Sequence, residues 1–324
     1  FGTIKKVLLV TLVGVAVVSV FLLTNSNYVF IVISAAVFYV FMSPTGALGD
    51  SLAVKTAASV NKNFGSIRTW GSIGFAVSTL IVGQFFSFFG ISTILIPFMF
   101  MIVIAFLTAM RVSDVETRNK PVTVFDAMRI GKNSKFLLFL GTILFLTIPH
   151  RANDSFIGLY LTELGGNESQ IGLAWFVAVA SEAIIFATSH YWFRRFNEIV
   201  FIMIAGVIYA VRWFGLAYIG GPVAVILLQV FHGVTFGVFY VAAFQYVTKL
   251  VPEHLQATGH LLFISVFFGL SGILGSLFGG LIFERSSGAT LYAVMGCLTL
   301  VGCVALLFYR LIEKRKTKTD ESYA

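Results

Sequence analysis

Long apolar stretches separated by short polar turns are the feature that most constrains this sequence. Each stretch holds about 20 mostly apolar residues, which is enough for a helix to cross the hydrocarbon core of a bilayer. They are continuous rather than alternating, and they are too long for the strands of a membrane barrel. They cover residues 7–24, 28–48, 68–89, 93–110, 136–162, 171–190, 199–219, 223–247, 259–283 and 290–312. The sequence therefore predicts an all-α integral membrane protein with about ten transmembrane helices.

The composition excludes the soluble classes of protein. Hydrophobic residues make up 58% of the 324 residues and charged residues only 11%, whereas soluble domains carry about 25% charged residues. Two cysteines are too few for a disulfide framework, and no C-x-x-C or H-E-x-x-H spacing indicates a metal site. In so apolar a chain, the net charge of +8 is a signal of membrane topology. We expect no cofactor other than a coupling proton, and no nucleic-acid partner.

The positions of Lys and Arg predict the orientation in the membrane. Nearly all of the 22 basic residues fall in alternate connections and at the two ends of the chain. Because cytoplasmic loops are enriched in Lys and Arg, we expect a plasma-membrane protein with both ends of this chain in the cytoplasm. The start shows neither an initiator Met nor a signal-peptide pattern, which favours a chain that lacks upstream helices.

One connection is much longer than the others. Residues 111–135 contain basic and acidic side chains and Pro121. We interpret this segment as a cytoplasmic linker between the remainder of an N-terminal bundle in 1–110, with four helices, and a C-terminal six-helix bundle in 136–312. Residues 313–324 would then form a cytoplasmic tail. The alternative is a long loop within a single bundle.

Ionisable side chains inside the predicted spans are the candidate functional residues, because charge within a bilayer is costly and marks pathways, proton relays or buried pairs. In the fifth span, His150, Arg151 and Asp154 are three and four residues apart, so they can meet on one helix surface. Pro149 is expected to kink this span and to help shape a cavity. A locally satisfied ion pair is the structural alternative.

A second group lies near the middles of three successive spans and consists of Glu182, Arg212 and His232. An uncompensated charge at that depth is expensive, so we expect Arg212 to hold Glu182 as its partner. A carboxylate shared between an arginine and a histidine changes its proton affinity as these partners move. A proton-coupled carrier requires such a group, although static buried triads have the same composition.

Three stretches of the chain resemble the major facilitator superfamily, and more closely its lactose-permease-like branch with phenylpropionate-permease-like and nucleoside-symporter-like members. The most specific stretch is NFGSIRTWGSIGF at residues 63–75, and the runs at 156–161 and 228–237 are similar to the same branch. The resemblance covers essentially the whole chain. It implies a fold of two six-helix bundles, of which this chain would hold helices three to twelve.

The resemblance also implies roles for individual residues. The arginine of the 63–75 motif is Arg68, and its acidic partner 18 residues upstream is Asp50; both are expected to bind the substrate. The acid, arginine and histidine of the family's proton-coupling region correspond here to Glu182, Arg212 and His232. Where the family has a second glutamate, three residues after the histidine, this chain has Thr235. Glu182 is therefore the expected proton carrier.

These features predict a secondary active transporter that imports a small organic solute with a proton by alternating access. The solute would be a sugar or oligosaccharide, a nucleoside or an aromatic acid, bound near the membrane midplane by a monomer. The expected solute contacts are Asp50, Arg68, His150, Arg151 and Asp154. An uncoupled facilitator or exchanger of the same fold is the alternative that Thr235 favours. An intramembrane enzyme would need a nucleophile–base or metal motif, and a sensor would need a signalling domain; the sequence contains neither.

Overall fold

The computed structural model describes residues 4–59, 64–112, 130, 133–193, 197–218, 220–252 and 255–322. Within these ranges the chain is helical and contains no β-strand. Ten helical stretches in the described part are long and apolar enough to cross a membrane. The predicted class, an all-α membrane protein with about ten transmembrane helices, is confirmed.

The helices are numbered here in chain order. They are α1 (Ile4–Thr24), α2 (Tyr28–Ser59), α3 (Phe64–Phe89), α4 (Leu95–Arg111), α5 (Ser134–Glu163), α6 (Glu168–Trp192), α7 (Glu198–Tyr218), α8 (Pro222–Leu228), α9 (Phe239–Leu250), α10 (Gln256–Ile264), α11 (Ser271–Arg285) and α12 (Gly288–Ser322). Two spans contain a π-helical segment: Gly233–Val238 lies between α8 and α9, and Ser265–Leu270 lies between α10 and α11. Helix α5 continues through Pro149.

Polar caps explain why two helices, α5 and α6, begin before the apolar stretches that predict them. Asn133 precedes α5 and accepts a hydrogen bond from the backbone N–H of Phe136 at 3.2 Å. Asn167 and Gln170 form a capping box at the start of α6, which satisfies two backbone donors that the helix leaves free. Gly165 lies just before this cap with a φ of 84°, a conformation that favours glycine.

The described chain divides into two units. The first comprises residues 1–74 and 81–120, and the second comprises 75–80 and 121–324. In the first unit α1 packs against α2 and α4. Its small core contains Ile4, Leu8, Leu12, Leu52 and Ala109. The predicted linker at 111–135 lies mostly outside the described residues. The predicted tail at 313–324 is helical as far as Ser322, since Lys, Arg and Glu are favourable helix residues.

In the second unit, α12 packs against α5 and α7, and α11 packs against α5. Its large core is rich in aromatic side chains, including Phe136, Phe139, Tyr209, Trp213, Phe239, Phe263, Phe267 and Tyr292. A Cβ atom on Gly275 would lie 2.9 Å from the carbonyl oxygen of Ile148 and from the amide nitrogen of Ala152. Glycine therefore lets α11 approach the backbone of α5 closely, as small residues do between membrane helices.

Candidate functional site

Buried polar side chains from four neighbouring spans meet in the interior of the second unit. We call them the central cluster and define it as His150, Arg151, Asp154, Glu182, Tyr209, Arg212, Gln229, His232 and Thr235. Most are almost fully buried, and Arg212 and Gln229 are each only 1% exposed. Buried polar groups are costly unless they have partners. The contacts within the cluster therefore show which hydrogen bonds and ion pairs offset the cost of burying these side chains.

Arg212 on α7 is held mainly by neutral groups. Its Nη1 donates to Thr235 Oγ1 at 3.2 Å and lies 3.5 Å from His232 Nδ1. Its Nη2 donates a short hydrogen bond to Gln229 Oε1, and the Gln229 amide is itself fixed because Nε2 donates to Val225 O at 3.0 Å. The guanidinium carbon lies 4.8 Å from the ring centre of Trp213, within the range of a cation–π contact.

Glu182 contacts His232 rather than Arg212 in the described structure. His232 Nε2 lies 3.7 Å from Glu182 Oε2. Because a guanidinium only donates hydrogen bonds, His232 Nδ1 accepts from Arg212, and the proton of the neutral ring lies on Nε2, facing the carboxylate. The expected direct pairing of Arg212 with Glu182 is thus replaced by a chain through His232. The guanidinium of Arg212 donates to the neutral side chains of Gln229 and Thr235.

Gly233 explains how His232 comes so close to Glu182. The Gly233 N–H donates to Ser181 Oγ at 2.9 Å, which ties the π-helical segment to α6. A Cβ atom at Gly233 would lie 2.8 Å from the Glu182 amide nitrogen and would overlap the Ser181 carbonyl group. Only glycine allows this approach, and π-helical turns of this kind are frequent at functional sites.

On α5, the three predicted residues come together as their spacing predicts. Arg151 Nη1 lies 2.5 Å from Asp154 Oδ2, and His150 Nε2 lies 3.7 Å from the same oxygen. The side chains of Arg151 and Asp154 are 29% and 17% exposed, whereas that of His150 is 4% exposed. Arg151 also lies 5.4 Å from the ring centre of Phe268. Arg151 and Asp154 are therefore partly exposed, whereas His150 is buried beside them.

The two groups that the sequence predicts separately form one cluster. The rings of His150 and His232 are 5.5 Å apart, centre to centre. Phe236 stacks on His150 at 4.9 Å and lies 5.5 Å from His232. Phe267, from the second π-helical segment, lies 5.5 Å from His150. Aromatic rings from both π-helical segments therefore pack against the histidines of the cluster.

Gln229 and Tyr209 are the cluster residues that the sequence analysis did not single out. Tyr209 places its hydroxyl 3.0 Å from His150 Nδ1. It is three residues before Arg212 on α7, a spacing that places both on one helix face, and this signal was available in the sequence. Asp50 and Arg68 lie on α2 and α3, but their side chains lie outside the described residues. In the described part, no group of three or more His, Cys, Asp or Glu residues could hold a metal ion.

Comparisons with known proteins identify the family. Residues 1–294 match the model of the MFS_1 like family. The chain is 31% identical over 317 residues to the maltose permease of Geobacillus stearothermophilus, across 97% of this chain and 79% of the permease. It is 26% identical over 266 residues to the probable 3-phenylpropionic acid transporter of Escherichia coli strain K12, across 76% of this chain and 66% of the relative.

A solved structure has the same fold. The crystal structure of a mutant of the nucleoside transporter NupG matches with a TM-score of 0.82 at 17% identity, across 94% of this chain and 83% of that chain. The matched proteins are transporters rather than enzymes, so the chain is a multi-pass membrane transporter of a small-molecule solute. By sequence and by fold, this chain belongs to the MFS_1-like family of the major facilitator superfamily.

Proposed function

We propose that this transporter is a proton-coupled symporter that imports a small organic solute by alternating access. The observation that carries the proposal is the buried chain Glu182–His232–Arg212, in which a carboxylate contacts a histidine that is itself held by an arginine. A carboxylate holds a proton more tightly when it is desolvated and less tightly when a cation lies nearby. Small shifts of His232 therefore change how strongly Glu182 binds a proton.

The proposed solute contacts in the second unit are Arg151 and Asp154, because their side chains are partly exposed. A guanidinium and a carboxylate together can bind hydroxyl pairs by several hydrogen bonds, and Phe268 beside Arg151 offers an apolar face. Asp50 and Arg68 remain proposed solute contacts on the motif resemblance. The candidate solutes are a sugar or oligosaccharide, a nucleoside and an aromatic acid. The names of the maltose permease, the NupG transporter and the phenylpropionic acid transporter support this range.

The topology and assembly proposed from the sequence accompany this function. The distribution of Lys and Arg supports a cytoplasmic location for both ends of this chain. We also propose that the protein acts as a monomer and uses no cofactor besides the coupling proton.

An uncoupled facilitator or exchanger is the second candidate, and one observation favours it. Thr235 is fully buried, and its hydroxyl accepts a hydrogen bond from Arg212 at 3.2 Å. A neutral group thus satisfies Arg212 where the resembling family has a glutamate. If the hydrogen bond from Arg212 to Thr235 has replaced the contact of the family's glutamate, the cluster only stabilises the fold, and no proton moves with the solute.

Transport by the full-length protein in proteoliposomes separates the two candidates. The panel is maltose, uridine and 3-phenylpropionate, each tested with and without an inward proton gradient. For a symporter, one solute accumulates, a protonophore abolishes the accumulation, and Glu182→Gln loses accumulation but keeps counterflow. Glu198→Gln is the matched control, because Glu198 is equally buried, at 6% exposed, but pairs with Lys249 outside the cluster. Uptake that does not depend on the proton gradient and that is unchanged in Glu182→Gln would establish the facilitator.

A further inference from the structure

His150 and Asp154 repeat the arrangement of His232 and Glu182. In each pair a carboxylate oxygen lies 3.7 Å from an imidazole Nε2. In each pair the Nδ1 atom of the same ring faces a group that can donate a hydrogen bond: the Tyr209 hydroxyl for His150 and the Arg212 guanidinium for His232. The cluster therefore contains two carboxylate–imidazole pairs.

Tyr209 fixes the orientation of the His150 ring. An ionised carboxylate only accepts hydrogen bonds, so the ring proton of neutral His150 lies on Nε2, facing Asp154, and Nδ1 accepts from the Tyr209 hydroxyl. The Tyr209 ring is 1% exposed and stacks on Trp213 at 5.4 Å. This packing holds the Tyr209 hydroxyl in place. Tyr209 therefore positions the ring of His150, in the same way that Arg212 positions the ring of His232.

Asp154 retains an oxygen that can receive a proton. Its Oδ2 atom contacts both Arg151 and His150, while Oδ1 is buried and has no hydrogen-bond partner among the described residues. A buried ionised oxygen without a partner is costly, and protonation of Oδ1 lowers that cost by neutralising the charge, without breaking the contact between Oδ2 and Arg151.

The groups around this pair determine when it can take up a proton. The charged and titratable side chains that surround it are Arg151 on α5, Glu182 on α6, Tyr209 and Arg212 on α7, His232 beside the first π-helical segment, and Tyr292 on α12, whose hydroxyl donates to Asn153 at 3.1 Å. The two imidazoles are 5.5 Å apart, so protons on both pairs repel each other and bind in coupled steps.

We propose that Asp154 and His150 form a second proton-binding pair, positioned by Tyr209, so that the second unit binds two protons rather than one. Each proton comes from a hydronium ion, whose O–H bond breaks to leave water, and forms one O–H or N–H bond in the cluster. The inference rests on the proposed function, which assigns the first proton to Glu182 and His232. Because Asp154 is also a proposed solute contact, solute binding would act directly on the second proton.

Proton uptake by the purified full-length protein in detergent tests the proposal without any solute. The number of protons bound per molecule is measured after acid addition to a weakly buffered sample, and the infrared band of protonated carboxyl groups is followed in parallel. We expect Glu182→Gln and Asp154→Asn each to remove one proton, and the double variant to remove two. His150→Gln should also remove the uptake of the second proton or move it to a different pH. Tyr209→Phe should keep the uptake of both protons and change only the pH at which the second one binds.

Two further variants distinguish loss of a proton site from unfolding of the protein and from the effect of removing any buried carboxyl group. Asp154→Asn leaves Arg151 without its charge partner and can unfold the protein, so the charge-balanced pair Arg151→Gln with Asp154→Asn repeats the measurement. Glu198→Gln controls for a buried carboxyl outside the cluster. If proton uptake is unchanged in both Asp154 variants, or if the second proton binds at the same pH in His150→Gln, the second proton-binding pair is overturned, while the Glu182–His232 pair is unaffected. Unchanged uptake in Glu182→Gln would instead overturn the proposed proton coupling itself.

Discussion

Replacement of Gly233 by alanine tests whether the close approach of the π-helical segment to α6 is what brings His232 to Glu182. The added Cβ would lie 2.8 Å from the Glu182 amide nitrogen and would overlap the Ser181 carbonyl group, whereas ordinary contacts are 3.4–4 Å. The segment must therefore move away by about 1 Å, against the tight packing of the interior. The distance between His232 Nε2 and Glu182 Oε2 would grow from 3.7 Å to about 4.7 Å.

Two magnitudes follow from this displacement. Overpacking costs about 1–3 kcal/mol, and the preference of a helix for alanine over glycine offsets about 0.5–1 kcal/mol, so the net loss of stability is at most about 2.5 kcal/mol. The overlap is with backbone atoms, which places the loss in the upper part of that range. At an effective dielectric constant near 20, the extra 1 Å weakens the attraction between a protonated His232 and Glu182 by about 1 kcal/mol. That energy corresponds to a change of about fivefold in the equilibrium.

The assay compares Gly233→Ala with Gly141→Ala, a glycine in helix α5 around which a Cβ atom would meet nothing within 4 Å. We expect Gly233→Ala to lower the thermal unfolding temperature by a few degrees and to reduce gradient-driven accumulation about fivefold more than it reduces counterflow. Gly141→Ala should leave accumulation and counterflow unchanged and, by the same helix preference, should not lower the unfolding temperature. Equal stability and equal accumulation in the two variants would refute the role assigned to this contact.

Three further substitutions test other parts of the structure. Gln229→Leu removes the acceptor of Arg212 Nη2, so thermal unfolding should show a loss of about 1–3 kcal/mol; an unchanged midpoint would contradict that contact. Lys249→Met removes the partner 2.6 Å from Glu198. Because Lys249 is 62% exposed, the loss should be about 1 kcal/mol or less, and Lys249→Arg should restore it. Asn167→Ala removes a helix cap and should cost about 1 kcal/mol, with Asn167→Ser near wild type and counterflow unaffected in both.

The sequence predicts the spans well because each depends on a local property, the length of an apolar stretch. The ends of the helices are less predictable. Helix α12 continues to Ser322 through residues too polar to count as a span, and α5 begins at a cap, Asn133, outside the apolar stretch. Hydropathy marks where the bilayer core would lie, whereas backbone hydrogen bonds and caps determine where a helix stops.

The partners within the central cluster are less predictable from sequence, because they depend on helix rotation and on irregular turns. The positions of Glu182, Arg212 and His232 along their spans predict that they meet, and the structure brings them together. The contacts form a chain in which His232 lies between Glu182 and Arg212, whereas the sequence analysis expects Arg212 to contact Glu182. The first π-helical segment places Thr235 at 3.2 Å from Arg212, and a regular helical pattern does not predict that turn. The link between His150 and His232 likewise depends on how two helices face each other across Phe236.

The charge balance of the central cluster bears on which solute the transporter can carry. With both histidines neutral, Arg151 and Asp154 cancel, and Arg212 and Glu182 cancel through His232. One bound proton therefore leaves the cluster with a net positive charge, which is expensive inside a membrane. A carboxylate solute would restore neutrality, whereas a sugar or nucleoside would leave the loaded cluster charged. Symport of a proton with an acid monoanion moves no net charge, while symport with a neutral solute moves one charge per proton. The proposed coupling is therefore compatible with all three solute classes. With one proton per solute, only the neutral classes make accumulation depend on the membrane potential, whereas with the two protons inferred above, symport of an acid monoanion also moves one net charge.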